Sequence, residues 1–147
     1  MQYIEQKKTA ECFFCEKPKQ GKDRENLILH RVKEAFVMMN LFPYNNGHLM
    51  IAPYRHVVNI DKLSRGEWND VFFLLQKSVK ALRRALNPHG FNVGINVGDV
   101  AGAGADHLHV HVVPRWRGDT SFMPVVGATK VMPEHLKKTY EKLVPYF

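Results

Sequence analysis

The sequence predicts an α+β domain: an antiparallel five-stranded sheet, one long helix across a face of it, and a short C-terminal helix. Three observations carry this. Short apolar runs are separated by turn residues in the manner of hairpins, one long segment has helical periodicity, and no alternation of strand and helix signals a parallel crossover. With 147 residues, 45% of them hydrophobic, the chain is long enough for one core and short for two. It reads as a single domain over residues 1–147.

Along the chain, residues 1–26 are rich in Lys, Glu and Gln and read as irregular, apart from a Cys12-Phe13-Phe14-Cys15 knuckle in a segment of about residues 10–26. Leu27–Val32 and Ala35–Asn40 are short apolar runs, and Lys33-Glu34 between them suits a tight hairpin. Pro43 to Gly47 supplies loop residues, and His48–Pro53 reads as a third strand that proline closes. Ser64 followed by Glu67 forms a capping box. Trp68, Val71, Phe72, Leu75, Val79, Leu82 and Leu86 then recur at helical spacing, which predicts a long amphipathic helix ending before Pro88. Phe91–Val97 is a fourth strand, Gly98–Ala105 a Gly/Ala-rich loop, and His107–Val113 a fifth strand. Pro133, at a first-turn position, opens the terminal helix that carries Leu136, Tyr140 and Leu143.

The formal net charge of +7 favours anionic partners such as nucleotides. Much of it sits in Lys77, Lys80, Arg83 and Arg84, which suit a solvated helix face. No apolar run approaches the ~20 residues of a membrane span, and Met1 to Lys8 is polar, so no membrane is expected and the cytoplasm is the default location. The only cysteines, Cys12 and Cys15, are spaced for a metal or a redox pair rather than for a fold-stapling disulfide.

The chemistry concentrates in His107-Leu108-His109-Val110-His111-Val112-Val113. On a strand, alternate side chains share a face, so the three imidazoles should form a row spaced by about 7 Å, with Leu108, Val110 and Val112 turned to the core. Such a row suits two chemistries. Neutral imidazole can attack phosphorus and form a phosphoramidate, or imidazoles can ligate a metal that keeps an open position for water.

With His48 after Gly47, and with Asn40, Pro43 and Pro53 to His56, this pattern resembles the histidine-triad (HIT) superfamily over about Cys12 to Trp116. The tail Pro114-Arg115-Trp116, Gly118-Asp119 and Phe122–Lys130 resembles the branch of bacterial diadenosine tetraphosphate phosphorylases. The resemblance implies that His109 is the nucleophile, that His111 and His48 contact the phosphate oxygens, and that His107 completes the catalytic set. It places Asn40 at the ribose and Asn96 beside the leaving group or phosphate. Cys12, Cys15, His56 and His107 are similar to a structural zinc site. Arg115 and Trp116 would border the substrate, Arg115 being available to a phosphate. Many relatives carry Gln or Ser just before the triad, where this chain has Ala101 to Asp106, and backbone N–H groups around Gly102 and Gly104 could cradle phosphate instead.

The implied reaction cleaves a dinucleoside polyphosphate or related adenylate at the α-phosphate, with diadenosine tetraphosphate favoured, a nucleotidyl-histidine as intermediate, and water or inorganic phosphate as acceptor. The alternatives are a nucleotide-phosphoramidate hydrolase and a non-catalytic nucleotide-binding regulatory protein. A nucleic-acid end-processing enzyme is disfavoured, because no added basic or zinc-finger domain is present. By the same resemblance a homodimer is expected.

Overall fold

A computed structural model of the chain describes residues 12–119 and 133–147. In chain order the elements are α1 (Phe13–Glu16), β1 (Ile28–Arg31), β2 (Ala35–Met39), β3 (Leu49–Pro53), α2 (Arg65–Leu86), β4 (Gly90–Ile95), β5 (Val110–Arg115) and α3 (Pro133–Leu143). The five strands make one antiparallel sheet in the order β1-β2-β3-β5-β4. Phe122–Lys130 and the first two residues, 10 and 11, of the segment around the cysteine knuckle lie outside the described residues. No described helix is long and apolar enough to cross a membrane.

The two faces of the sheet are covered unequally. On one face Leu29, Val37, Ile51, Val110 and Val112 pack with α2 and with Leu136, Tyr140 and Leu143 of α3. On the other, Ile28, Phe36, Met38, Met50 and Ala52 pack with Cys12, Phe14 and Cys15. All residues of β2 and β3 are therefore buried, which is why these strands read as unbroken apolar runs rather than as alternation. The expectation of an irregular stretch before β1 is corrected here: α1 and a 3-10 turn at Lys17–Gln20 occupy it.

Helix α2 starts as its sequence dictates. Ser64 Oγ accepts from the Glu67 N–H at 3.1 Å, and Glu67 Oε1 accepts from the Ser64 N–H at 2.9 Å. It ends on Asn87 in the left-handed region, φ 49°, just before Pro88. Its buried side is rotated from the expected stripe. Val71, Leu74, Ala81 and Leu82 are buried, whereas Trp68 and Phe72 are 44% and 52% exposed. The sheet covers only the arc around Leu74 and Ser78, and Trp68 lies at its margin beside Ile95 of the edge strand β4.

Two contacts set the loops around the histidines. Gly47 has φ +82°, and a Cβ there would lie 2.6 Å from Leu86 Cδ1 and 3.0 Å from Leu82 Cδ2, so only glycine lets the turn before His48 rest on α2. Pro114 stands in β5 beyond the residues that pair with β3, the last of which is Val112, so its missing N–H costs no ladder bond on that side. The fifth strand begins at Val110 rather than at His107, and His107 and His109 lie in the segment entering it.

Candidate active site and metal centre

Strand register builds the floor of the site. Met38 pairs with Met50, Met50 with His111, and His111 with Gly94. Opposed residues share a face, so this row crosses four strands and ends on a residue with no side chain. The gap beside His111 follows from that glycine.

The expected single row of three imidazoles is not what forms. The rings of His109 and His111 are 4.6 Å apart. His107 is fully buried: Phe14, also fully buried, packs on both His107 and His109, with centroids 5.2 and 4.8 Å away. The reason is that the first two histidines precede the regular strand, where α1 packs against them.

Hydrogen bonding assigns the tautomers. The Tyr44 N–H donates to His48 Nδ1 at 3.2 Å, so His48 Nε2 carries a proton and donates to His111 Nδ1 at 2.8 Å. His111 Nε2 is then an N–H donor. His109 donates from Nδ1 to the carbonyl oxygen of His107 at 2.7 Å, which makes its Nε2 the atom with the lone pair. Burial, with the His111 and His109 rings as further causes, pushes the His48 pKa down to about 3. Burial, then His109, pushes His111 to about 4. Burial also lowers His109, against the opposing effect of its bond to His107. All three rings are neutral at pH 7.

His48 thus departs from its expected place at the phosphate oxygens. It is 1% exposed, both ring nitrogens are engaged, and Tyr44 stacks on it at 5.1 Å. It lies behind His111 and orients it.

Cys12, Cys15, His56 and His107 place their ligand atoms within 4.8 Å of one another. Cys12 Sγ and Cys15 Sγ lie 3.4 and 3.5 Å from His107 Nδ1, and Cys15 Sγ is 3.4 Å from His56 Nδ1. A tetrahedral ion with ordinary Zn–S and Zn–N bonds has S···N edges of about 3.5 Å, so the four residues fit a metal ion. His107 Nε2 donates to the carbonyl oxygen of Pro53 at 2.8 Å, which leaves Nδ1 bare toward the sulfurs. Burial and the adjacent Cys12 push the Cys15 thiol up to about 12, a cost that a bound cation reverses.

Two cavities meet at His111, Tyr44 and Asn96. The first, about 400 Å³, is walled by Met38, Met39, Leu41 and Met50 and reaches Asn40, Gly102, Gly104 and His109. The second, about 410 Å³, is the more polar of the two, with Asn45, Asn92, Arg115 and Asp119 in its lining beside Val93 and Val113. Both have the size of ligand pockets. Asn96 Nδ2 donates to the Gly102 carbonyl at 3.3 Å, tying β4 to the Gly/Ala loop.

Three expectations change. Arg115 lines the second cavity but is largely committed elsewhere: four of its five N–H donors go to Asp119 and Asn92, which leaves one for a ligand. Trp116 lines neither cavity. Much of the Gly/Ala loop is closed on itself, since the N–H groups of Ala101, Gly102 and Ala103 donate to Gly98 and Asp99. Sequence reasoning missed Phe13, Phe14, Lys17 and Tyr44. The phenylalanines between the two cysteines were the one available signal: Phe14 is buried against the histidines, and Phe13 lines the first cavity.

A HIT domain model matches residues 22–118, from ahead of β1 to beyond the end of β5. The chain belongs to the HIT domain family. Among HIT relatives, the AP-4-A phosphorylase of Mycobacterium tuberculosis is 45% identical over 118 residues, which cover 80% of this chain and 60% of that protein. The asymmetrical bis(5'-nucleosyl)-tetraphosphatase of Schizosaccharomyces pombe is 31% identical over 94 residues, covering 64% of this chain and 52% of that one. The chain therefore spans little more than half the length of these relatives. A Zn-bound histidine triad family protein from Mycobacterium smegmatis shares the HIT fold at TM-score 0.74 and 22% identity, with 94% of each chain covered.

Proposed function

We propose that this HIT protein cleaves dinucleoside polyphosphates at the α-phosphate through a nucleotidyl-histidine on His109, with diadenosine tetraphosphate as the favoured substrate. One observation carries the reading. The Nδ1 proton of His109 is tied to the His107 carbonyl, so the neutral ring offers its Nε2 lone pair at a cavity it shares with His111. The likeness to an AP-4-A phosphorylase supports the substrate.

His109 Nε2 attacks the α-phosphorus, an N–P bond forms, and the bond from phosphorus to the bridging oxygen breaks in line with it. The His111 Nε2–H donates to a non-bridging oxygen, where charge grows in the transition state. His48 holds His111 in the donating tautomer. The nucleoside lies in the apolar cavity with Asn40 at its ribose, and the leaving nucleotide departs by the polar cavity past Asn96. The acceptor then enters from that side, its oxygen bonds to phosphorus, and the N–P bond breaks to restore His109. Inorganic phosphate is the favoured acceptor.

Zinc is the metal that two thiolates and two imidazoles fit best, and four protein ligands make it structural. Bound there, it would hold α1 on the sheet. The free thiols suit a reducing compartment, which favours the cytoplasm. A homodimer joined at the β4 edges would cover Trp68, Phe72 and the 48% exposed Val93 and remove an open sheet edge. Sedimentation should give a dimer that Trp68→Glu with Phe72→Glu converts to monomer; a wild-type monomer at micromolar concentration would overturn the dimer.

The decisive assay incubates the protein with diadenosine tetraphosphate, with and without inorganic phosphate. ADP with ATP, formed only when phosphate is present, is the expected result. AMP with ATP without phosphate makes it a hydrolase acting at the same α-phosphate, whereas paired ADP, which needs cleavage between the two middle phosphates, or no cleavage under either condition overturns the reading.

A further inference from the structure

Among the described residues that line the apolar cavity, Lys17 alone carries a formal charge, since the imidazoles are neutral. Lys17 opens the 3-10 turn after α1, and its backbone is held there by the buried Pro18 and by Asn26 Nδ2, which donates to the Lys17 carbonyl at 3.3 Å. Its Nζ lies 5.4 Å from the centre of the Phe13 ring. It has no ion-pair partner among the described residues, while its neighbour Glu16 pairs with Lys19. The contact with Phe13 is weaker than a charge-assisted hydrogen bond, so a ligand acceptor entering the cavity outcompetes it.

The nucleotide reading given above puts a base in this cavity and the phosphate at His109 and His111. Resting on that reading, we infer that Lys17 is a specificity-determining residue that favours guanine. An ammonium donates and cannot accept. Guanine offers N7 and O6 side by side as acceptors, whereas adenine sets its 6-amino donor beside N7. The walls of Met38, Met39, Leu41 and Met50 offer no competing acceptor on their side chains. Guanine-bearing dinucleoside polyphosphates are then substrates alongside diadenosine tetraphosphate, and Lys17 accounts for their acceptance.

The test is calorimetric binding of GMP and AMP to the metal-loaded wild-type protein, Lys17→Met and Lys17→Arg, with metal content measured for each. The wild type should bind GMP no more weakly than AMP. Lys17→Met should weaken GMP by about tenfold and AMP by much less, with metal content unchanged, and Lys17→Arg should restore GMP binding. The ratio of kcat/KM for diguanosine to diadenosine tetraphosphate should fall in parallel in Lys17→Met. Equal weakening of both nucleotides, or none, overturns the assignment while leaving the nucleotide reading intact; that includes a contact from Lys17 to phosphate. Failure of the wild type to bind either nucleotide overturns both.

Discussion

His109 and His111 are equivalent in the sequence and opposite in the structure, because one donates its Nδ1 proton to a carbonyl and the other accepts at Nδ1 from His48. The first therefore has a bare Nε2 and the second a protonated one. His109→Asn should leave nucleotide binding within about threefold and lower kcat by roughly 10³-fold or more. Single-turnover kinetics checks this, and turnover near wild type would remove His109 from the chemistry. The same burial has a pH signature. His48 and His111 are pushed from 6.5 to about 3 and about 4, so unfolding below pH 6.5 takes up protons that the folded rings refuse. Their contribution to stability is complete above pH 6.5 and is lost as pH falls from there toward about 4, at roughly 1.4 kcal/mol per pH unit for each ring. Denaturant unfolding at pH 7 and pH 5 should show the loss, and His48→Asn should lessen it; equal losses in both proteins would count against the linkage.

At the scale of elements, α2 shows how far periodicity reaches. The capping box at Ser64 and Glu67 and the stop before Pro88 were legible because they depend on the chain within a few residues. The buried arc was not, since a stripe running from Trp68 to Leu86 is wider than the sheet it meets. The polar Ser78, absent from that stripe, is fully buried, and its Oγ has no hydrogen-bond partner among the described residues. Ser78→Ala should therefore stabilise the protein by about 1 kcal/mol, read as a higher denaturant midpoint at unchanged m; a lower midpoint would mean that the hydroxyl is satisfied in solution. Helix α1 was unreadable for a different reason. Four residues have no period to detect, and what fixes them is the packing of Phe14 on two histidine rings and the convergence of Cys12 and Cys15 on His56 and His107.

At the scale of the whole molecule, the candidate metal centre joins the N-terminal segment to the segment entering β5 that carries His109, the proposed nucleophile. His107 is a candidate ligand, its carbonyl orients His109, and Phe14 lies between the two rings. Stripping the metal with a chelator should lower the melting temperature by about 10 °C, the equivalent of a few kcal/mol at roughly 2–4 °C each. It should also raise KM for nucleotide, because Phe13 and Lys17 line the apolar cavity from the same segment. Zinc should restore both, and indifference of both quantities to the chelator would detach the metal centre from the site.

The sequence by itself determined the class of fold, the five strands and the long helix, and the run of alternating histidines. Each follows from local pattern: alternation, capping and the spacing of imidazoles. That His56 and His107 join Cys12 and Cys15 was only an implication of the family resemblance. Only the tertiary structure decided which histidine has a bare Nε2 and which a protonated one, that His48 stands behind His111, that Asp119 holds Arg115, and that Lys17 borders the apolar cavity. Those facts depend on hydrogen bonds and packing between residues as far apart as His48 and His111 or Phe14 and His109. No local periodicity encodes contacts of that kind.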